Sequence, residues 1–270
     1  MITSLSNPQI KFLRSLNLAK YRNESGLFLA EGLKCVGQAF DSKANIQQLI
    51  FSPELLISEY GQSLTGKTKE HGIDLLEVSA TVFQSIARKD KPQGIAALIK
   101  QNWHDIESFS SIDSTKKQAW VAIEAIQNPG NLGTVLRTCD ATGVSGLFLL
   151  PYSTDPYDPV AVKASMGAIF TVPIYSVTYA QLKQLFKIHS NLFIIGTSDK
   201  ADQDAFRFTY PKQTFLLIGS EREGLSAQLT ALCDDMVRIP MVGSCDSLNL
   251  SVATGIILYE IFNQHSGLTR

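Results

Sequence analysis

Residues 215–263 read FLLIGSEREGLSAQLTALCDDMVRIPMVGSCDSLNLSVATGIILYEIFN. An apolar run at 215–218 ends in Gly219-Ser220-Glu221, and a second short one at 236–239 ends in Pro240-Met241. Ser247-Leu248-Asn249 then leads into a long apolar stretch with helical spacing. Two strand ends and one helix start therefore carry small or polar residues able to expose backbone N–H and C=O groups. In open α/β sheets ligands sit outside the carboxyl ends of the strands, so this stretch predicts both a parallel sheet and the place of its site. A third signal lies far upstream, at Asn128-Pro129-Gly130-Asn131-Leu132-Gly133-Thr134-Val135-Leu136-Arg137.

Outward from that stretch, strand and helix patterns alternate from residue 118 onward. Strands are predicted at 120–126, 147–150, 172–177, 192–195, 215–218 and 237–239. Helices are predicted at 132–141, 159–168, 179–188, 226–233 and the C-terminal end, with Gly143 as a stop and Pro159 at a first helical position. Residues 101–117, QNWHDIESFSSIDSTKK, are polar and serine-rich with little periodicity, which suits a linker. Ahead of it, an amphipathic helix is predicted over 8–22, strands at 27–30, 49–52, 75–78 and 94–99, and helices at 31–41, 53–60, 61–71 and 80–87. The division expected is a small α/β sandwich over 1–104, a linker over 105–117 and a larger α/β domain over 118–270.

The chain has 270 residues, 44% hydrophobic and 18% charged, an ordinary globular composition. No run approaches the roughly 18 apolar residues of a membrane span. The N-terminus lacks an apolar signal-peptide core, so the cytoplasm is expected. Cys35, Cys139, Cys233 and Cys245 lie far apart with no C-x-x-C pair, and the four histidines are scattered. Neither a disulfide framework nor a metal site is expected. The net charge is −1, yet residues 1–103 hold 12 Lys and Arg against 9 Asp and Glu. Lys11, Arg14, Lys20 and Arg22 are therefore candidates to meet a phosphate backbone, although a solvated face gives the same pattern.

Several chemistries are excluded by spacing. The loop after the first strand of the larger domain does not match G-x-G-x-x-G, and neither G-x-x-x-x-G-K-[ST] nor G-x-S-x-G occurs. The loop from Gly219 to Gly224 carries Glu221 and Glu223, which make it a poor anion site and favour a neutral or cationic ligand.

Asn131 to Arg137 has the form N-x-G-x-x-x-R, Ile218-Gly219-Ser220-Glu221 is a strand ending in G-x-E, and Ile239-Pro240-Met241 is followed by Ser247-Leu248-Asn249. In this order the three segments resemble the motifs of the SpoU family of RNA ribose methyltransferases, within the SPOUT class, over about 118–263. The front domain is similar to the substrate-binding domain of the same family, which itself resembles small ribosomal RNA-binding proteins. That likeness rests on Asn7-Pro8-Gln9-Ile10-Lys11, Phe28-Leu29-Ala30-Glu31-Gly32 and Pro92-Gln93-Gly94-Ile95-Ala96.

The resemblance implies a SPOUT fold with a deep trefoil knot and a homodimer formed through the knot-region helices. It implies an S-adenosylmethionine pocket made by Gly196, Thr197, Gly219, Ile239, Met241 and Leu248. It also implies catalysis by Arg137 with Asn131, Glu221, Ser247 and Asn249 on an RNA substrate, for which the charge pattern offers Lys11, Arg14, Lys20 and Arg22 as contacts. Arginine stays charged in proteins, so Arg137 suits a phosphate anchor and electrostatic stabiliser better than a free base. The extra front domain favours ribosomal over transfer RNA. An RNA-binding or ribosome-assembly factor that lost catalysis is the alternative, against which the intact motif residues speak. A small-molecule α/β enzyme would leave the front domain without a purpose. Gln127-Asn128, Glu124 and Cys245-Asp246 depart from the commonest family pattern and bear on substrate choice rather than reaction class.

Overall fold

The computed structural model describes residues 1–88, 91–109, 113 and 115–267. In chain order the elements are helices α1 (Pro8–Ser15) and α2 (Ala19–Ser25), strand β1 (Leu27–Glu31), α3 (Leu33–Asp41), β2 (Ile46–Phe51), α4 (Glu59–Glu70), β3 (Asp74–Glu77), α5 (Ala80–Ile86) and β4 (Ile95–Lys100). Then follow β5 (Trp103–His104), β6 (Gln118–Ile123), α6 (Pro129–Ala141), β7 (Gly146–Leu149), α7 (Pro159–Ser165), β8 (Ile174–Ser176), α8 (Tyr179–Ile188) and β9 (Phe193–Thr197). The chain closes with β10 (Gln203–Asp204), β11 (Gln213–Ile218), α9 (Ala227–Thr230), β12 (Asp235–Arg238) and α10 (Leu250–Ser266).

Two compact units result: Met1–Asn102 with Asp155–Thr171, and Trp103–Thr154 with Val172–Arg270. The first has a four-stranded sheet in the order β1-β4-β2-β3, with β4 antiparallel to both neighbours and β2 parallel to β3. Its core gathers Ile10, Leu13 and Leu16 with Val82, Phe83 and Ile86 against the sheet. The second has eight strands in the order β10-β12-β9-β11-β6-β7-β8-β5, and every pair is parallel. The fully buried runs of β7 and β11 fit a sheet covered on both faces. Trp120, Phe148, Tyr175 and Phe215 pack in its core.

Four expectations change. No helix forms over 53–58, where the chain turns before α4 begins at Glu59. The helix expected at 8–22 is two helices, α1 and α2, because Leu18 adopts an extended conformation between them. The linker expected at 105–117 is largely fastened to the second unit: Phe109 packs edge-on against Trp120 and Phe148, each at 5.6 Å, and the Gln213 side chain donates to the carbonyls of Asp113 and Lys116. Residues 110–112 and 114 of that linker lie outside the described residues, as do 89–90 and 268–270 of the flanking domains. Segment Asp155–Thr171, expected within the larger domain, packs with the first unit instead. The Tyr157 hydroxyl accepts from Asn102 N–H at 2.9 Å, and its ring lies 4.8 Å from Phe28.

Arg22 needs the same correction. Rather than facing RNA it is buried, with 1% exposure. Its Nε donates to Asp155 at 2.7 Å, one terminal nitrogen to Asp158 at 3.4 Å, and the other to the Leu16 carbonyl at 2.9 Å.

Candidate active site

Parallel pairing in register sets out the floor of the site. Gly196 on β9 lies opposite Leu217 on β11 and Met236 on β12, while Ile218 pairs with Ile123 on β6. The four strands therefore end side by side, and Glu124, Gly219, Thr197 and Ile239 emerge along one carboxyl edge. That edge is where the sequence placed the site.

Gly219 must be glycine for a local reason. The turn that follows doubles back, with Ser220 N–H donating to the Gly224 carbonyl at 2.9 Å and Gly224 N–H returning to Ser220. A Cβ on Gly219 would fall into the backbone of Gly224 and Leu225. Gly196 is confined by packing, since a Cβ there would meet the sulfurs of Met236 and Cys233.

Helix α6 begins at this edge. Asn128 caps it by accepting from the N–H groups of Gly130, at 2.8 Å, and Asn131, at 3.2 Å, with Pro129 at the first position. Leu132, Val135, Leu136 and Cys139 are its buried face. Burial pushes the Cys139 thiol up to about 12. Helix α10 begins beside α6, capped by Asn249, whose Oδ1 accepts from Ser251 N–H at 2.9 Å and Ser251 Oγ at 2.7 Å.

These two helix starts and the Gly219 turn meet through side chains. Asn131 Nδ2 donates to Glu221 Oε1, and Asn249 Nδ2 donates to Asn131 Oδ1 at 3.3 Å. A carboxylate only accepts, so Glu221 fixes which end of the Asn131 amide faces it, and Asn131 in turn fixes Asn249. The result is a single line of aligned dipoles: Ser251 to Asn249 to Asn131 to Glu221. It joins three segments separated by 90 and 118 positions in the chain.

Other expected residues stand apart from this line. Arg137 is exposed on α6, six residues beyond Asn131, which is about 9 Å along the axis and roughly 120° around it. Among the described residues its guanidinium has no ion-pair partner. Ser247 is exposed and makes no hydrogen bond among the described residues. Met241 and Leu248 are 40% and 37% exposed, while Ile239 is half-buried. Between residues 239 and 248 no backbone group is hydrogen-bonded to the described backbone. In the first unit Lys11 is exposed, Arg14 donates to the Leu5 carbonyl at 2.7 Å, and Lys20 stands 3.9 Å from Glu24.

Glu124 has a role that sequence reasoning passed over. It ends the apolar run of β6, is buried, and accepts from Ser226 N–H and the Tyr179 hydroxyl, each at 2.8 Å. It thereby pins the far side of the Gly219 turn to β6. Burial, and then the Glu124 carboxylate, push the Tyr179 phenol up to about 12. The available signal was a carboxylate directly after four buried apolar strand residues, since such a charge requires partners.

Among the described residues no group of His, Cys, Asp and Glu could hold a metal ion. No described helix is long and apolar enough to cross a membrane.

Comparison with known proteins accords with this geometry. Residues 118–259 match the SpoU rRNA Methylase family, and residues 7–97 match an MRM3-like substrate binding domain. The chain is 30% identical over 268 residues to an uncharacterized tRNA/rRNA methyltransferase of Synechocystis, covering 97% of this chain and 93% of the relative. It is 28% identical to the 23S rRNA (uridine(2479)-2'-O)-methyltransferase of Streptomyces viridochromogenes, over 92% and 87% of the two chains. Among solved structures, the AdoMet-bound rRNA methyltransferase from Sinorhizobium meliloti superposes with a TM-score of 0.84 at 34% identity, covering 98% of this chain and 97% of that one.

Proposed function

The chain belongs to the SpoU rRNA methylase family, and on that premise we propose that it methylates a ribose 2′-hydroxyl of RNA, ribosomal RNA ahead of transfer RNA, using S-adenosylmethionine. The observation that carries this reading is the hydrogen-bonded line from Asn249 through Asn131 to Glu221 at the carboxyl edge of a parallel sheet.

The residues present suit the cofactor. Adenine wants an apolar slot with main-chain partners, and residues 239–248 offer both: backbone groups bonded to no other described backbone group, and the side chains of Ile239, Met241 and Leu248. Gly196, Thr197 and Gly219 would complete that wall at the adjoining strand ends. When bound, S-adenosylmethionine supplies an electrophilic methyl on a sulfonium.

The chain's own part is to hold and orient a weak nucleophile. Asn131, Asn249 and Glu221 form a pre-aligned set of amide and carboxylate groups able to fix ribose hydroxyls, with Ser247 beside the helix start. Arg137, a permanent cation, anchors an RNA phosphate and stabilises charge that develops during transfer. Lys11, Arg14 and Lys20 in the first unit lie near exposed Phe12, Leu18 and Tyr21, the mixture of charge and stacking surface that single-stranded RNA favours. Arg22 has no part in this.

Two further features belong to the same reading. Val252 and Tyr259, 49% and 48% exposed and two turns apart on α10, form the face through which two copies pair. The strand order supports a knotted C-terminus, since β12 lies outside β9 while α10 returns to pack beside α6, where Gly255 faces Thr138. The reading includes a cytoplasmic location, as expected from the sequence.

The test is transfer of labelled methyl from S-adenosylmethionine into total RNA of a host lacking this protein, followed by nuclease digestion. Label in an alkali-resistant dinucleotide is expected. Arg137→Ala should lose about 10²–10⁴-fold in kcat, the range in which positioned proton-transfer and charge groups act, while cofactor binding survives. Cofactor and RNA binding without transfer by the native chain would favour a silent binding factor, and a failure to bind S-adenosylmethionine would remove the reading altogether.

A further inference from the structure

The loop after β7 carries a conformational cost that the chemistry above does not use. Leu150-Pro151-Tyr152-Ser153 is a β-turn closed by Ser153 N–H on the Leu150 carbonyl at 3.3 Å. Proline occupies its second position, and Tyr152, its third, has φ +67°. That combination is a type II turn, whose third position calls for glycine or asparagine because an L side chain is strained there. The chain puts a tyrosine in it.

Nothing in the core offsets that strain. Tyr152 is 83% exposed, so its ring gains no burial. What holds the turn is its neighbour: the Gln127 side chain donates to the Tyr152 carbonyl at 2.5 Å, and Thr154 N–H donates to the Ile126 carbonyl at 2.7 Å. Gln127 directly precedes Asn128, the cap of α6, and lies four residues from Asn131. Ala125, in the same connection, also has a positive φ of 50°. Two strained loops at the carboxyl edge of β6 and β7 are thus tied together beside the Glu221–Asn131–Asn249 line, and the tie displays a bare aromatic ring. Strained backbone held by its surroundings next to a site is a mark of function.

We propose that Tyr152 is a stacking platform for an unpaired base of the RNA substrate, close to the methylated nucleotide. The assignment rests on the methyl-transfer reading and deepens it. Specific RNA recognition works on unstacked bases that pile onto aromatic side chains, and every base has a face to offer. Gln127 acts as the positioning residue by fixing the turn that presents the ring.

The test uses methyl transfer to ribosomal RNA from a host lacking this protein, with Tyr152→Ala, Tyr152→Trp and Tyr152→Gly. Tyr152→Ala and Tyr152→Gly should each raise KM for RNA about tenfold, the scale of one lost stacking contact, with S-adenosylmethionine affinity within about twofold of native. Tyr152→Trp should retain native KM. Tyr152→Gly should also raise Tm by about 2–4 °C, since glycine takes a positive φ without the strain of an L side chain. Weaker RNA binding in a more stable protein is a pairing that a structural role cannot produce. A native KM in both small variants overturns the proposal while leaving the methyl-transfer reading intact. Absence of RNA methylation by the native chain overturns that reading and this one with it.

Discussion

Two side-chain networks in this molecule join residues far apart in sequence, one in each unit, and they are built in opposite ways. In the first unit Arg22 is buried and ionic, and its partners are fully used. Asp155 also accepts from Tyr157 N–H at 2.8 Å, and Asp158 from Val160 N–H at 2.8 Å as the cap of α7. In the second unit Glu221, Asn131 and Asn249 are partly or well exposed, mostly neutral, and keep bonding capacity to spare. A network in which every charged nitrogen and oxygen finds a partner in its own chain is a fastening. One that is aligned but unfinished can take a substrate. The contrast separates structure from site more sharply than residue type does, because by type Arg22 looked like the RNA contact.

The widest way to break the comparison is Arg22→Ala. It leaves two carboxylates facing each other without their cation, with side chains only 17% and 23% exposed. Removing one partner from such a pair costs about 3–5 kcal/mol, so a large fall in Tm of the first unit is expected by calorimetry. RNA methylation by the surviving folded fraction should keep its KM. A KM rise with Tm unchanged would return Arg22 to the RNA surface.

Asn131→Ala should do the reverse. The line loses its middle member, Glu221 and Asn249 lose their mutual orientation, and kcat should fall about 10–100-fold, the worth of one hydrogen bond to a charged group. Tm should stay near native, because α6 keeps its Asn128 cap and its buried face. A fall in Tm as large as that of Arg22→Ala would show the two networks to be the same kind of thing.

Leu248→Ser sharpens the contrast within the site. Leu248 belongs to the segment whose backbone is bonded to no other described backbone group, so its effect should fall on cofactor affinity rather than on kcat. Loss of one apolar contact in a binding slot predicts about a tenfold rise in Kd for S-adenosylmethionine, measured by titration calorimetry, with kcat at saturation within about twofold of native.

How much of this was legible beforehand follows from which forces are local. The three motifs of the second unit and their order were readable, because strand ends, caps and glycine turns are short-range chemistry. Ser247-Leu248-Asn249 at a helix start and the Gly219 turn are of that kind, whereas α6 begins three residues before the expected 132, at Pro129 behind its Asn128 cap. What could not be read were partners set by tertiary packing. Arg22 finds Asp155 at a separation of 133 positions, and nothing in the basic pattern around Arg14 and Lys20 distinguishes it from them. Segment Asp155–Thr171 follows β7 in sequence, yet Tyr157 and Phe170 pack against Phe28, so its allegiance is decided by aromatic contacts invisible to periodicity. Strand β5 has only two residues and no pattern to detect. The paired signatures of the first unit turned out to serve its backbone: Glu31 accepts from Arg88 N–H at 2.9 Å, and Gln93 from Leu33 N–H at 3.1 Å.

The smallest effect concerns what holds the site's own helix in place. Cys139 is on the buried face of α6, eight residues after Asn131, and its thiol is pushed by burial from 9.0 up to about 12. A folded-state pKa raised above the unfolded value means that stability is complete below about pH 9 and is lost as pH rises from there towards 12, because only the unfolded chain gains the thiolate. The slope for one such group is about 1.4 kcal/mol per pH unit. Cys233 and Tyr179, both raised to about 12, act in the same direction. Thermal melts between pH 8 and about pH 10 should therefore show falling stability, and Cys139→Ala should flatten that slope by its share while lowering Tm slightly at neutral pH. An unchanged slope in the variant would mean that the thiol is already ionisable in the fold. The α6 helix that carries Asn131 would then be less firmly seated than the fully satisfied Arg22 network of the first unit.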